Sequence, residues 1–182
     1  AILSVTIPET PGSFRKFCSL LGNRNITEFN YRYANPKVAH VFAGVQVSGP
    51  AETAKLVATL KKNKLETLDL TDNEMAKLHL RHLVGGRAPE ANDEIMFRFE
   101  FPERTGALMN FLNRMDHNWN ISLFHYRNHG ADYGRVLVGM QVPRHDKKLL
   151  QRFLDQLGYP YWDESDNPAY RLFLVKKKKK TG

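Results

Sequence analysis

At 182 residues, with 42% hydrophobic and 11% aromatic content, the chain carries enough apolar material for packed cores and is too rich in it for a disordered segment. Its formal charge is +8, but the run Lys176 to Lys180 supplies five of those charges, so the remainder is a nearly balanced +3 and argues against a generally basic, nucleic-acid-covering surface. A single cysteine, Cys18, excludes an intrachain disulfide, and no apolar stretch reaches the roughly 18 residues needed to span a membrane.

The chain opens inside a strand pattern, with Leu3, Val5 and Ile7 alternating with polar positions. It therefore reads as a piece of a longer protein. Pro8-Glu9-Thr10-Pro11-Gly12 follows, and then Phe14, Phe17, Cys18 and Leu21 fall at helical spacing, which makes Cys18 core filling in a reducing compartment. Next come a strand rich in aromatics around Phe29 and Tyr31, a polar turn, a strand over Val41 to Val47, a helix carrying Leu56 and Leu60, and a short strand over Leu65 to Leu70. Met75 to Leu83 adds a further apolar segment. Within it His79 and His82 stand three apart, but no third ligand lies nearby in sequence, so no metal is expected. Gly85-Gly86-Arg87 reads as a helix stop leading into a linker.

The same order then begins again. Phe97, Phe99 and Phe101 repeat the first strand, Pro102-Glu103 and Gly106 repeat Pro8-Glu9 and Gly12 at a spacing of 94, and Leu108, Phe111, Leu112 and Met115 repeat the helix. Asn120 to Arg127 agrees with Asn25 to Arg32 at five of eight positions, and Val136, Gly139, Gln141 and Val142 repeat Val41, Gly44, Gln46 and Val47 at a spacing of 95. Leu150 and Leu154 mark the second helix of the copy, Tyr159 to Trp162 its last strand, and Tyr170 to Val175 its added apolar segment. Strand, helix, strand, strand, helix, strand, written twice, is an α+β arrangement of two tandem ferredoxin-like βαββαβ modules. The expected boundaries are 1–84 for the first module, 85–93 for a linker, 94–175 for the second module and 176–182 for a solvated basic tail.

Enzyme signatures are missing: the sequence has no phosphate-binding Gly-x-x-x-x-Gly-Lys, no Gly-x-Gly-x-x-Gly and no His-Glu-x-x-His. A binding site is easier to place. The glycine-containing loops of Glu9 and Gly12, and of Glu103 and Gly106, stand directly before helices, whose free amide hydrogens suit a small anion such as an amino-acid carboxylate. Tyr31 and Tyr126 share a strand face with Phe29 and Phe124, forming an apolar wall that ends in a hydroxyl. Strict alternation puts Arg32 and Arg127 on the other face, available to a partner subunit unless a bulge intervenes.

Pro-Glu-x-x-Gly, Asn120-Ile121-Ser122-Leu123-Phe124-His125-Tyr126-Arg127, Asp132 to Leu137, His82 to Arg87 and Asp163-Glu164 with Asn167-Pro168-Ala169 together resemble the C-terminal regulatory region of biosynthetic threonine dehydratase, up to Val175. That resemblance implies two ACT-like modules with Tyr31, Tyr126 and Arg127 contacting effectors, joined by the loops at Glu9, Gly12, Glu103 and Gly106. It also implies isoleucine as inhibitor and valine as its antagonist, in a homo-oligomeric, typically tetrameric enzyme of the cytoplasm or plastid. The pyridoxal phosphate of that enzyme belongs to a catalytic domain elsewhere in the chain, so this region is expected to hold no cofactor and to catalyse nothing itself. The first copy departs from the pattern at Glu28, Asn30 and Pro11, which predicts unequal sites. Two other readings compete: a ligand-free oligomerisation module, and an RNA-recognition module, which uses the same topology but whose Lys/Arg-Gly-Phe/Tyr signature is absent here. Neither nucleic acid nor membrane is an expected partner.

Overall fold

The computed structural model describes residues 1–127, 130 and 132–175; the basic run at 176–182 lies outside them. The first module runs β1 (Ile2–Pro8), α1 (Ser13–Leu21), β2 (Ile26–Arg32), β3 (Val38–Val45), α2 (Pro50–Lys62) and β4 (Glu66–Asp69). A π-helical turn (Ala76–Leu80) then continues into the short α3 (Arg81–Leu83). The second module repeats the order with β5 (Glu94–Pro102), α4 (Ala107–Arg114), β6 (Asn120–Arg127), β7 (Tyr133–Gln141), α5 (Lys147–Leu157) and β8 (Tyr161–Asp163), and ends in α6 (Pro168–Phe173).

All eight strands form one sheet in the order β4-β1-β3-β2-β6-β7-β5-β8, so each half shows the strand order of a ferredoxin-like unit. The halves join through β2 and β6, which run antiparallel. Their register sets Phe29 opposite Tyr126 and Tyr31 opposite Phe124. Because Phe29 and Tyr31 are the counterparts of Phe124 and Tyr126, this pairing is symmetric about the Asn30–His125 pair. The duplicated aromatic strand is thus the seam of the molecule.

Alternation sorts each strand between two faces. Leu3, Val5, Ile7, Phe29, Phe97, Phe99, Phe101 and Phe124 are buried under α1 and α4 in one aromatic core, with Phe14 4.9 Å from Phe29 and 5.6 Å from Phe124 between ring centroids. Both central strands carry a bulge, between Ile26 and Glu28 and between Ile121 and Leu123. Gly44 and Gly139 face these bulges, where an added Cβ would stand 2.6 Å from Thr27 Oγ1 and 2.8 Å from Ser122 Oγ. That close approach accounts for the repeated glycine.

The other face is covered at its centre. Glu28, Asn30, Arg32 and Ser122 are buried there, Arg81 of α3 pairs with Glu28 at 3.0 Å, and Tyr170 of α6 packs with Met96 and Leu123. An RNA-recognition module needs that face open to stacked bases. The expectation that Arg32 would serve a partner subunit is corrected: it is ion-paired inside the chain with Glu94 and donates to the carbonyls of Gly86 and Leu174. Strand ends also differ from expectation. β3 begins earlier, at Val38, and β8 begins later, at Tyr161, because Pro160 has no amide hydrogen to donate and only its carbonyl joins the ladder, accepting from Glu100 at 3.0 Å.

Candidate functional site

Each module turns from its first strand into its first helix through a glycine with positive φ, +86° at Gly12 and +91° at Gly106, a conformation side-chain-bearing residues rarely adopt. The turn folds the preceding glutamate back over the sheet. Glu9 donates its backbone N–H to Lys37 O at 3.0 Å, and Glu103 donates its own to Asp132 O at 3.3 Å, so both acids are tied to the start of the third strand. Their carboxylates accept the neighbouring phenol: Tyr31 donates to Glu9, and Tyr126 donates to Glu103 at 3.1 Å.

Two cavities result, and each is completed by the other module. The first joins Glu9, Gly12 and Tyr31 to Leu112, Met115, Trp119 and Asn120. The second joins Glu103, Gly106 and Tyr126 to Cys18, Gly22, Arg24 and Ile26, with Phe124 and Leu108 extending the apolar wall. Nothing local in sequence announces this sharing, which depends on the β2–β6 register. Six of the seven anticipated residues therefore line cavities. Arg127 lines neither, since alternation carries it to the face opposite Tyr126.

The cavities are unequal. The first encloses about 20 Å³ and the second about 200 Å³. Since a single water needs roughly 10–15 Å³ on this measure, the first is all but filled. Asn120 Nδ2 helps to close it by donating to Glu9 Oε1 at 2.9 Å in addition to Gln141 Oε1 at 3.1 Å, whereas for its counterpart Asn25 the equivalent bond is the one to Gln46 Oε1 at 3.3 Å. Leu112 stands where the second cavity has the smaller Cys18.

Burial raises the Glu9 carboxyl above its usual range, a rise partly offset by hydrogen bonds from Tyr31 and Asn120. Burial, reinforced by the Glu9 hydrogen bond, pushes the Tyr31 phenol far upward. A carboxyl whose proton is held more tightly in the folded state contributes stability that falls as pH rises from the ordinary carboxylate range through its raised value. The stability of Glu9→Gln relative to the parent is therefore expected to improve from about pH 4 upward and then level off, as read by urea denaturation across pH. A flat difference would show Glu9 to be solvated.

These groups fit binding rather than bond-making. The Cys18 thiol is pushed far above its usual range by burial and is therefore a poor nucleophile. Among the described residues no lysine lines either cavity, so these linings offer no amine for a Schiff base. Among the described residues no three His, Cys, Asp or Glu side chains gather as a metal site, and no helix is long and apolar enough to cross a membrane.

Comparison with known proteins agrees with this picture. The family model of the C-terminal regulatory domain of threonine dehydratase matches residues 1–80 and 85–174. The chain is 59% identical over 174 residues to biosynthetic L-threonine dehydratase of Burkholderia multivorans and 51% identical over 176 residues to that of Escherichia coli, covering 96% of this chain and 34% of each relative. It is 43% identical over 174 residues to the chloroplastic biosynthetic threonine dehydratase of Arabidopsis thaliana, covering 96% of this chain and 29% of that protein. The chain thus spans about a third of the length of these relatives. Duplicated ferredoxin-like modules, shared acid-and-phenol cavities and matches along both halves lead to one statement: the chain belongs to the family of C-terminal regulatory domains of threonine dehydratase.

Proposed function

We propose that this regulatory domain binds branched-chain amino acids as allosteric effectors, isoleucine as inhibitor and valine as its antagonist. On this reading it controls a pyridoxal-phosphate catalytic domain of the same chain that converts threonine to 2-oxobutanoate and ammonia. The enzyme would act as a homo-oligomer, a tetramer by family resemblance, in the cytoplasm or, in plants, the plastid.

The observation that carries the reading is the second cavity. Its volume of about 200 Å³ is bounded by a carboxylate at Glu103, a phenol at Tyr126, the N-terminus of α4 and a wall of Cys18, Ile26, Leu108 and Phe124. A zwitterion with a short hydrocarbon side chain complements all of these. Its ammonium meets Glu103, its carboxylate meets the free amide hydrogens of α4, and its side chain lies on the apolar wall. Because that wall comes from both modules, occupation biases how they sit against each other, and allostery requires such a differential contact.

Calorimetric titration of isoleucine and of valine tests the assignment. Tyr126→Ala removes apolar contact and a hydroxyl, and is expected to cost about 1–3 kcal/mol of binding, roughly five- to 150-fold in affinity. Tyr31→Ala should change affinity less, because the first cavity is nearly filled. Full affinity in both variants would sink the site, and a folded parent that takes up neither amino acid would favour the ligand-free oligomerisation module.

A further inference from the structure

Gly134 and Ala39 hold the same place in the two modules, Gly134 opposite Phe101 in the β5–β7 pairing and Ala39 opposite Ile7 in the β1–β3 pairing. The difference between them is one methyl group. A Cβ on Gly134 would stand 2.5 Å from Tyr126 Cε2, 3.3 Å from Tyr126 Cδ2 and 2.7 Å from Glu103 Oε1. Carbon cannot approach ring carbon that closely. The phenol and the carboxylate that bound the second cavity therefore rest against β7 only because residue 134 has no side chain. Gly134 is not among the glycines of positive φ, so its backbone would accept alanine. The obstacle to a methyl group is thus the Tyr126 ring and the end of the Glu103 side chain, which can turn aside without disturbing the sheet.

In the first module the methyl group is present. Ala39 lines the first cavity beside Tyr31 and Glu9, and there the tyrosine is 2% exposed and the free volume is about 20 Å³. Tyr126, resting against Gly134, is less deeply buried and leaves about 200 Å³. We propose that the choice of alanine at 39 and glycine at 134 determines which of the two related cavities is open, by setting whether the tyrosine lies back against the third strand or stands forward into the ligand space. Gly134 is then a specificity-determining residue that touches no ligand, and each chain offers one open amino-acid site, at the second cavity. This rests on the reading of that cavity as an amino-acid site. Leu112 and Trp119 narrow the first cavity from the opposite wall, so position 39 controls the tyrosine side only.

Crystal structures of Gly134→Ala and Ala39→Gly, with calorimetric titration of isoleucine into each, test the proposal. In Gly134→Ala the Tyr126 ring and the Glu103 carboxylate are expected to swing away from β7 into the cavity, and isoleucine affinity to fall by about tenfold or more, with the melting temperature nearly unchanged. In Ala39→Gly the Tyr31 ring should settle toward β3 and the first cavity should enlarge. A Tyr126 ring left in place in Gly134→Ala overturns the proposal, as does an unmoved Tyr31 in Ala39→Gly. Should the parent protein bind no isoleucine, the effector reading falls, and the ring positions in the two variants still decide this proposal.

Discussion

Arg32→Ala, with Glu94 left in place, is expected to lower stability by about 3–5 kcal/mol, the range for removing one partner of a buried ion pair. Arg32 is 6% exposed, and its guanidinium has no idle edge. Nε donates to Gly86 O at 2.8 Å, Nη2 to Leu174 O at 2.9 Å and to Glu94 Oε2 at 3.3 Å, while Nη1 meets Glu94 Oε1 and the Ser122 carbonyl. One side chain thus ties β2 to Gly86, to the start of β5, to β6 and to the residues after α6. Truncation would leave a carboxylate buried with only the Ser122 hydroxyl and the Tyr170 phenol, which donates at 2.8 Å, and would strip two carbonyls of their donor. Burial and the nearby Glu94 charge push that phenol above its usual range. Arg32→Met with Glu94→Leu should recover most of the loss, because the double change removes the orphaned charge along with the pair. Urea denaturation of the three proteins reads this directly. A loss under about 1 kcal/mol for Arg32→Ala would mean that the pair behaves like a solvated one.

The same arginine marks where sequence reading stops. Alternation correctly turns Arg32 away from Tyr31, yet a period of two names only the face and says nothing of what covers it. The cover is the π-helical turn with α3 and, from the far end of the chain, α6; only their apolar content hinted that they pack on anything. The repeat made the fold legible because it reports topology twice. Of the seven residues it singles out, six line the two cavities, since the loop glutamates and glycines and the tyrosines carry their own chemical signatures. Its limit is the junction. Leu112 and Trp119 on one cavity, and Cys18 and Arg24 on the other, come from the opposite module through a strand pairing nearly 100 residues apart in sequence, and no local pattern encodes that register. Gly134 is visible as a residue and silent as a determinant, because what matters is the Tyr126 ring and the Glu103 carboxylate that packing places where its Cβ would stand.

Phe124→Ala is expected to cost about 3–5 kcal/mol, the usual range for emptying a buried aromatic position. The ring is 1% exposed and stands opposite Tyr31 across the β2–β6 seam. Its centroid lies 5.6 Å from Phe14 and 5.6 Å from Phe29 in the first module, and 6.5 Å from Phe101 and 6.4 Å from Phe111 in the second. Removing it therefore opens a void in the one core that both modules share, beneath the cavity that Phe124 also lines. Tyr126→Ala lies on the same strand face only two residues away, but at the partly exposed edge of that cavity, so it should weaken binding far more than folding. The pair of variants thus separates the packing role of the seam from its recognition role. Guanidinium denaturation followed by circular dichroism and by fluorescence of Trp119 and Trp162, both in the second module, should give one coincident transition for the parent, because the shared aromatic core leaves neither module a complete interior of its own. In Phe124→Ala that transition should move to lower denaturant. A midpoint left unchanged would mean that the two modules hold together without this ring, and would leave the β2–β6 backbone ladder and the Arg32 cluster as what joins them.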